Sequence, residues 1–503
     1  MLQLAPTVWK GLLALLCGAL VPLGFAPFGF YLIPVVALAI LASLFFAATP
    51  RAGLLLGALF GLGQFGVGVS WVHISIHQYG NAGLALSLAT MLLLVLYLSL
   101  FPALMGSLVS RLSAASRGIV MLVVFPSAWT LTEWLRAWLF TGFPWLNLGY
   151  SQIDSPLLGF APVVGVYGVG FITVLGAGLL NCVVCGSGQL RAIALVLMCA
   201  TGLGGWALNQ HHWTQAGAEQ LTATLVQGNI PQELKWKPEQ QRETLERYVE
   251  LTNGHADSDL VVWPETAVPA FYDQVETDFI IPLREKLRAM DVSLVTGIPV
   301  LDRSQWDYYN AVISLENAGR FYYKVHLVPF GEYLPLRNWL ASVLSFLPVP
   351  QADFSAGDLD QSLLEAAGYP VGASICYEIA FGEELIHALP EAAFLINISN
   401  DAWFGDSLAP HQHLEMARMR ARETERYLLR ATNTGISAII DAAGQIVAQS
   451  PQFKMATVTH TIQPRSGATP YVTLGNLPVI LLAAVLLLAV SITRRKIGAE
   501  QVK

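Results

Sequence analysis

Long apolar runs follow one another over the first 208 residues of the chain and return once near its end. Each run is close to the roughly 20 residues that a helix needs to cross the hydrocarbon core of a bilayer. The pattern therefore predicts a polytopic α-helical membrane bundle of eight spans, seven before a polar segment and one after it. The predicted spans are 9–26, 30–48, 52–72, 82–108, 118–138, 161–185, 190–208 and 474–492.

Between residues 209 and 473 the pattern changes to short β-rich runs that alternate with amphipathic stretches such as 238–253 and 278–290. Strands that alternate with helices predict a layered α/β domain. The predicted strands are 221–227, 260–263, 292–297, 311–315, 371–375, 393–398 and 435–440. The chain thus divides into a membrane domain at 1–208, an α/β domain at 209–473, and a last span with a tail at 474–503.

Basic residues occur in alternate short loops, whereas loops such as 73–81 contain neither lysine nor arginine. Cytoplasmic loops of membrane proteins carry the excess of such residues. The pattern predicts that both termini are cytoplasmic, and seven spans then place 209–473 on the outer face of the membrane. The residues that set this pattern are Lys10, Arg51, Arg111, Arg117, Arg191, Arg494, Arg495 and Lys496.

Composition supports an integral membrane protein, because 54% of the 503 residues are hydrophobic and only 13% are charged. The formal net charge of -7 is spread along the chain without a basic stripe, which argues against a nucleic-acid partner. No metal-ligand cluster or nucleotide motif is recognisable in the sequence, so we predict no cofactor.

Cys376 is the only cysteine of the polar segment, so it cannot form a disulfide within its domain. It ends an apolar run, 371–375, and carboxylates follow it at once. From this stretch alone a reactive thiol and a small buried hydrophobe are both open interpretations. The remaining cysteines lie in apolar segments and are interpreted as membrane packing residues: Cys17, Cys182, Cys185 and Cys199.

Three further segments place a titratable group where a predicted strand gives way to a loop, at Glu265, Lys324 and Glu332. Each has a structural explanation by itself, as a helix cap, a surface charge and a loop ion pair. Together with Cys376 they have the chemistry of an acyl-transfer site. A thiol nucleophile needs a base, for which Glu265 is the candidate. The developing oxyanion needs donors, which Lys324 and the backbone N–H of Tyr377 can supply.

These segments resemble the nitrilase superfamily, whose Glu-Lys-Cys triad occurs in the same chain order. The motifs are Trp263-Pro264-Glu265, Tyr323-Lys324-x-His326-Leu327-x-Pro329-Phe330-Gly331-Glu332, and Ile375-Cys376-Tyr377-Glu378. Their combination with seven preceding spans and one following span is similar to the apolipoprotein N-acyltransferase family of the bacterial cytoplasmic membrane. The resemblance covers essentially the whole chain.

The resemblance implies an αββα sandwich for the polar segment, a thioester on Cys376, Glu265 as general base and Lys324 as oxyanion stabiliser. The implied acyl donor is a phospholipid, and the implied acceptor is the α-amino group of a diacylglyceryl-modified apolipoprotein, with ping-pong kinetics. Supporting roles are implied for Glu332, Tyr377, Glu378 and Trp236.

Aromatic and proline-rich loops are candidates for substrate or lid contacts. The loops 271–272 and 344–350 are interpreted as mobile arms or as folded surface, and loop 141–150 as a set of interface anchors or as a wall for lipid. The candidate contact residues are Trp403, Phe346, Pro335 and Trp145.

Two other functions stay open. A membrane-tethered amidase or nitrilase would use the same residues with water as the acceptor. A transporter or scaffold would have an inert outer domain and charged residues deep in its spans, whereas Glu133 and Arg136 lie near an end of their run.

Overall fold

The computed structural model of the chain describes residues 6–80, 82–316, 319–334 and 353–500. The chain divides into two compact units. The segment 74–82, which the sequence pattern assigned to the membrane half, belongs to the second unit. The helical unit comprises Met1–His73, Gly83–His211 and Leu474–Lys503, and the sheet unit comprises Ile74–Ala82 and His212–Thr473.

In the described part of the helical unit, six helices are long and apolar enough to cross a membrane. They are Pro50–Gly68, Leu84–Arg111, Arg117–Arg136, Pro156–Cys185, Gly188–Asn209 and Leu477–Arg494. Two further apolar helices, Val8–Gly24 and Leu32–Phe46, are shorter. A helix of 15 residues such as Leu32–Phe46 is about 22 Å long, less than the roughly 30 Å of hydrocarbon. Eight spans therefore stay a prediction.

Glycines at four-residue spacing let two of these helices approach closely. Gly53, Gly57 and Gly61 face the helix Leu84–Arg111, and a Cβ atom at Gly57 would lie 2.1 Å from the backbone oxygen of Pro102. Small residues at this spacing are a common contact between membrane helices, because they bring the backbones together.

The loop 141–150 is held by a buried ion pair at the end of its preceding helix. Arg136 donates to the backbone oxygen of Trp145 at 2.7 Å, and Glu133 accepts from the backbone N–H of Leu148 at 2.7 Å. Glu133 is 5% exposed and Arg136 is 2% exposed. These two charges therefore have a structural use within the helical unit.

The sheet unit contains the strands β1 (Gln215–Ala216), β2 (Leu221–Gln227), β3 (Leu260–Val262), β4 (Ser293–Asp302), β5 (Asp307–Ser314), β6 (Phe321–Tyr323), β7 (Leu364–Ala366), β8 (Tyr369–Ile375), β9 (Phe394–Ser399), β10 (Leu428–Thr432), β11 (Ala438–Ile440), β12 (Ile446–Gln449), β13 (Ala456–Ile462) and β14 (Arg465–Ser466). Its α-helices are Tyr272–Val275, Pro238–Asn253, Ile281–Ala289, Gly382–Leu385, Ala409–Thr424 and Pro470–Leu474.

The strands form two six-stranded sheets of similar design, in the orders β13-β2-β3-β4-β5-β6 and β12-β11-β10-β9-β8-β7. The three central strands of each sheet, β2 to β4 and β8 to β10, are parallel. The flanking strands are antiparallel. Strands β1 and β14 pair separately.

Apolar side chains of both sheets form one core between them. Val262 and Val295 from one sheet and Ile375 and Ile396 from the other are at most 1% exposed. The helices Pro238–Asn253 and Ile281–Ala289 cover the second face of the first sheet, and Ala409–Thr424 packs on the other sheet. Parallel strands buried on both faces read as continuous apolar runs, which is the pattern of the sequence. The predicted αββα sandwich is therefore confirmed.

Shortening a side chain in the core between the sheets should destabilise the protein. For Ile396→Ala we expect the free energy of unfolding to fall by about 2 to 5 kcal/mol, because a cavity replaces the buried side chain. Chemical denaturation in detergent measures this change. Met455→Ala is the control, since Met455 is 57% exposed. Equal stabilities of the two variants would contradict the assignment of Ile396 to the core.

Candidate active site

Strand ends position the three residues of the predicted triad. Glu265 follows β3, Lys324 follows β6, and Cys376 follows β8. Strand β3 is paired along its length with β2 and β4, and the carboxyl end of β8 is paired with β9, so hydrogen bonds to neighbouring strands fix both ends. Rigid strands place side chains more accurately than free loops do.

A buried group of charges lies at these ends. The side-chain amide of Asn310 donates to Oε1 of Glu265 at 2.7 Å and to Oε1 of Glu332 at 3.3 Å. Lys324 donates to the same oxygen of Glu332 at 2.7 Å. Lys324 is 1% exposed. Burial opposes its charged form, but Glu332 and then Glu265 overcome this effect and raise its pKa above the ordinary value.

The backbone around Glu265 requires a glycine on the adjacent strand. The N–H of Gly297 donates to the backbone oxygen of Pro264 at 3.3 Å. A Cβ atom at Gly297 would lie 2.8 Å from Cα of Glu265 and 2.6 Å from the backbone nitrogen of Thr266. Any larger residue would displace the carboxylate.

The backbone of Cys376 is strained, with φ of 53° in the left-handed region. Strain of this kind persists only where the surroundings fix it. His413 helps to hold the strained backbone in place, because its Nε2 lies 3.1 Å from the backbone oxygen of Cys376. Burial first, and Arg430 second, lower the pKa of His413. In the neutral ring, Nε2–H donates to Cys376 and Nδ1 accepts from Arg430 at 2.9 Å.

A buried carboxylate completes this support. Arg430 donates to Oδ2 of Asp401 at 2.8 Å, and both side chains are fully buried. Burial would raise the pKa of Asp401, but Arg430 and His413 hold it well below its usual range. The carbonyl of Cys376 is thus linked to a buried ion pair through one imidazole.

The thiol of Cys376 keeps its proton at rest. Burial, and next the carboxylate of Glu265, raise the pKa of the Cys376 thiol to about 12, whereas Lys324 acts in the opposite direction. The residue as a whole is half-buried. A thiol in this state needs a base in order to attack.

Glu378 fixes the loop after Lys324 to the strand that carries the thiol. Its carboxylate accepts from the backbone N–H groups of Ile375 at 2.6 Å, Val325 at 2.6 Å and His326 at 3.1 Å. Burial raises the pKa of Glu378 to about 7, against the effect of Lys324 and of these donors. The supporting position predicted for Glu378 therefore has a defined set of contacts.

Comparison with known proteins gives the family. The sequence model described as "Apolipoprotein N-acyltransferase N-terminal domain" matches residues 17–179, and the one described as "Carbon-nitrogen hydrolase" matches residues 222–471. An apolipoprotein N-acyltransferase of Methylococcus capsulatus (strain Bath) is 49% identical over 473 residues, which cover 94% of each chain. The chain belongs to the apolipoprotein N-acyltransferase family. The predicted resemblance is therefore confirmed.

A second family member and two solved structures also match the chain. The apolipoprotein N-acyltransferase of Nitrosomonas europaea is 46% identical, over 93% of this chain and 94% of that one. Saccharomyces cerevisiae Nit3, a nitrilase-superfamily member, is 20% identical, covers 50% of this chain and 93% of its own, and has a TM-score of 0.38. A carbon-nitrogen hydrolase from Helicobacter pylori G27 is 17% identical, with corresponding coverages of 48% and 89% and a TM-score of 0.38.

In this member of the N-acyltransferase family, the predicted aromatic residues differ in their surroundings. Trp236 is 53% exposed. Trp403 is 40% exposed, and its ring packs edge to face on Tyr79 at 5.5 Å. The backbone oxygen of Trp403 accepts from the hydroxyl of Ser75 at 2.7 Å. Tyr377 is 8% exposed. Trp236 and Trp403 therefore present an aromatic surface on the sheet unit.

Trp145 lies in the helical unit, is 1% exposed, and packs against Trp71 at 4.9 Å. Its burial favours a packing role over an interface anchor or a wall for lipid. In the predicted arm 271–272, Phe271 packs on Tyr308 at 5.6 Å, as in folded surface. The remaining candidates, Pro335, Phe346 and the arm 344–350, lie outside the described residues.

Several residues of this site were missed by the sequence reasoning. Asn310 looks like any polar residue of a strand, and His413 lies in a helix without a motif that distinguishes it. Arg430 had a detectable signal, since it is the one charged residue of the buried strand Leu428–Thr432. Among the described residues, no group of three His, Cys, Asp or Glu side chains is arranged to hold a metal ion.

Removing the cation beneath the nucleophile should destabilise the protein strongly. We expect Arg430→Met to lower the free energy of unfolding by about 3 to 5 kcal/mol, because it leaves the buried Asp401 unpaired. Denaturant unfolding in detergent measures the effect. Arg242→Met is the control, since the ion pair of Arg242 with Glu246 is exposed and its loss should not be measurable. A variant at Arg430 as stable as the parent would contradict the ion-pair assignment.

The raised pKa of Cys376 should appear in its reaction with iodoacetamide. The other four cysteines are first replaced, two of which, Cys185 and Cys199, are exposed. Only the thiolate reacts, so the rate constant should still be rising at about pH 10, above the ordinary thiol pKa. A plateau near the ordinary thiol pKa of about 8.5 would contradict the burial argument.

Proposed function

We propose that the chain transfers a fatty acyl group from a phospholipid to the α-amino group of the N-terminal diacylglyceryl-cysteine of apolipoproteins, the last step of lipoprotein maturation. Family membership makes it an acyltransferase, and its relatives are named apolipoprotein N-acyltransferases. One observation carries the proposal: Glu265, Asn310, Glu332 and Lys324 form a hydrogen-bonded group. Two of its members, Glu265 and Lys324, act electrostatically on the thiol of Cys376.

In the first half-reaction, the sulfur of Cys376 attacks the ester carbonyl of the phospholipid while Glu265 accepts the thiol proton. The base is needed because the resting thiol is protonated. Lys324 stabilises the oxyanion, and Glu332 keeps that ammonium charged and oriented. The lysophospholipid alkoxide then leaves with the proton held by Glu265, and a thioester stays on the enzyme. The backbone N–H of Tyr377 as second oxyanion donor stays a prediction.

In the second half-reaction, the α-amine of the acceptor attacks the thioester and Glu265 accepts a proton from the attacking nitrogen. The carbon–sulfur bond breaks, the amide is released, and the thiolate of Cys376 recovers its proton. A thioester reacts with amines far faster than an oxygen ester does. Transfer through the acyl-enzyme is therefore faster than direct attack of the amine on the phospholipid ester. The two products leave in turn, which gives ping-pong kinetics.

We also propose that the protein lies in the bacterial inner membrane with both termini in the cytoplasm and the sheet unit on the periplasmic side. The apolar helices and the alternation of basic loops support this orientation. Both substrates are held in the membrane by acyl chains, so a site next to the bilayer meets them at high local concentration.

Replacing the nucleophile should abolish the acyl-enzyme. After incubation with phospholipid, the intact mass of the parent protein should increase by one acyl chain, whereas Cys376→Ala should show no adduct. Transfer to a lipopeptide should fall by about a thousandfold or more. Cys185→Ala is the matched control and should behave like the parent, since Cys185 lies in a helix of the other unit. N-acylated peptide formed by Cys376→Ala at the parent rate would end the proposal.

The same acyl-enzyme distinguishes transfer from hydrolysis. A diacylglyceryl lipopeptide with a free α-amino group should remove the adduct and appear as the N-acylated peptide, whereas an N-acetylated lipopeptide should leave the adduct in place. If the adduct decays equally fast in buffer and releases free fatty acid, the chain is a hydrolase that uses water as the acceptor.

A further inference from the structure

Lys235 is a buried lysine to which the proposed mechanism gives no role. It lies between β2 and the helix Pro238–Asn253 and is 4% exposed. Its ammonium donates to the backbone oxygen of Glu265 at 2.9 Å, and no described carboxylate lies within ion-pair distance of it. An ammonium has three donors, and lysines are rarely buried without a charged partner. Packing alone does not explain such a position.

The loop around Lys235 is fixed to the ends of central strands of the other sheet. The backbone N–H of Ile230 donates to Oδ1 of Asn433 at 2.9 Å, and the amide of Asn433 donates back to the oxygen of Ile230 at 2.8 Å. Asn400 donates to the side chain of Gln232 at 2.7 Å. The position of Lys235 is therefore built into the site.

The charges of the candidate site act directly on this ammonium. Burial lowers the pKa of Lys235 to about 8, while Glu265 and Cys376 act in the opposite direction. The side chain is therefore mostly charged at neutral pH. Lys324 has its charge matched by Glu332 at 2.7 Å. Lys235 is the described cation of the site that has no contacting carboxylate.

We propose that Lys235 is a positioning residue for acyl transfer, whose ammonium fixes the backbone of the base Glu265 and whose charge favours the anion that forms on Cys376. The inference rests on the proposed function, because it assigns Lys235 to the deprotonation of that thiol. No bond to Lys235 forms or breaks.

Charged groups face the thiol from several elements. Besides Lys235, whose own pKa Cys376 raises, they are Glu265 after β3, Lys324 after β6 with its partner Glu332, and Asp401 after β9 with His413 and Arg430. The test changes Lys235 and leaves all the others in place, so a shift in thiol reactivity reports on this one charge.

The first measurement is the rate of alkylation of Cys376 by iodoacetamide across pH, in the chain that lacks the other cysteines. Lys235→Met should lower the rate about tenfold below about pH 8, where the ammonium of the parent is charged, which moves this part of the profile up by about one pH unit. Above about pH 8 the two profiles should converge, because the parent lysine is then neutral as well. Lys235→Gln keeps a donor for the oxygen of Glu265 but has no charge, so it should show the same shift. Lys237→Met is the matched control, because Lys237 is exposed in the same loop, and it should leave the profile unchanged.

The second measurement is steady-state transfer to the lipopeptide. For Lys235→Met we expect kcat to fall by about tenfold to a hundredfold, as for a small displacement of a catalytic group, with the KM for phospholipid unchanged. The melting temperature in detergent should stay equal or rise, because a neutral side chain has no charge to desolvate.

Three outcomes would overturn the proposal. The first is an alkylation profile of both Lys235 variants that matches that of the parent. The second is a raised KM with an unchanged kcat, which indicates a substrate contact. The third is a loss of folding in both variants, which indicates a purely structural role. Alkylation needs neither donor nor acceptor. If Cys376→Ala retains full transfer, the proposed function fails, while the alkylation profile still decides the electrostatic role of Lys235.

Discussion

The candidate site depends on the buried contact between the ammonium of Lys324 and the carboxylate of Glu332. Removal of two charges from water costs several kcal/mol per ion, and their attraction offsets this only when the remaining polar atoms are also satisfied. Here the amide of Asn310 and the backbone N–H of Val328, at 2.7 Å, complete the hydrogen bonds of Glu332. A small displacement of any strand end would leave a bare charge in a dry site.

This requirement explains why the residues of the site lie at strand ends, those of Glu265 and Cys376 on central strands and that of Lys324 on the edge strand β6. Hydrogen bonds on both sides fix β3 and β8, and the core between the sheets fixes their separation. Backbone conformations that cost energy, at Thr266 with φ of 50° and at Cys376 with φ of 53°, can persist on such a frame. Gly297 and His413 contact the two strained turns directly. The sandwich thus supports two strained turns that face a common set of charges.

Much of this was predictable from sequence, and the reasons differ between residues. An apolar run that ends in a titratable group makes Glu265 and Cys376 candidates, and their combination with Lys324 and Glu332 in the order of a known triad identifies them. Asn310 could not be found in this way. It lies on β5, and it reaches Glu265 only because β3 and β5 both pair with β4, an order of strands that the sequence does not reveal. His413 was visible, but its bond to a backbone oxygen depends on how its helix packs. The number of membrane spans stays open for a physical reason, because two apolar helices are shorter than the hydrocarbon layer.

The segment 74–82 limits where the chain can be divided into recombinant fragments. A recombinant fragment that begins at residue 212 would retain every strand of both sheets but would leave that segment behind. The indole of Trp403 would lose the ring of Tyr79, and its carbonyl would lose the hydroxyl of Ser75. This damage would fall two residues from Asp401, whose carboxylate supports the nucleophile. The segment 74–82 is thus part of the compact sheet unit although two apolar helices flank it in the sequence, and a cut at the sequence boundary of the polar half removes these contacts.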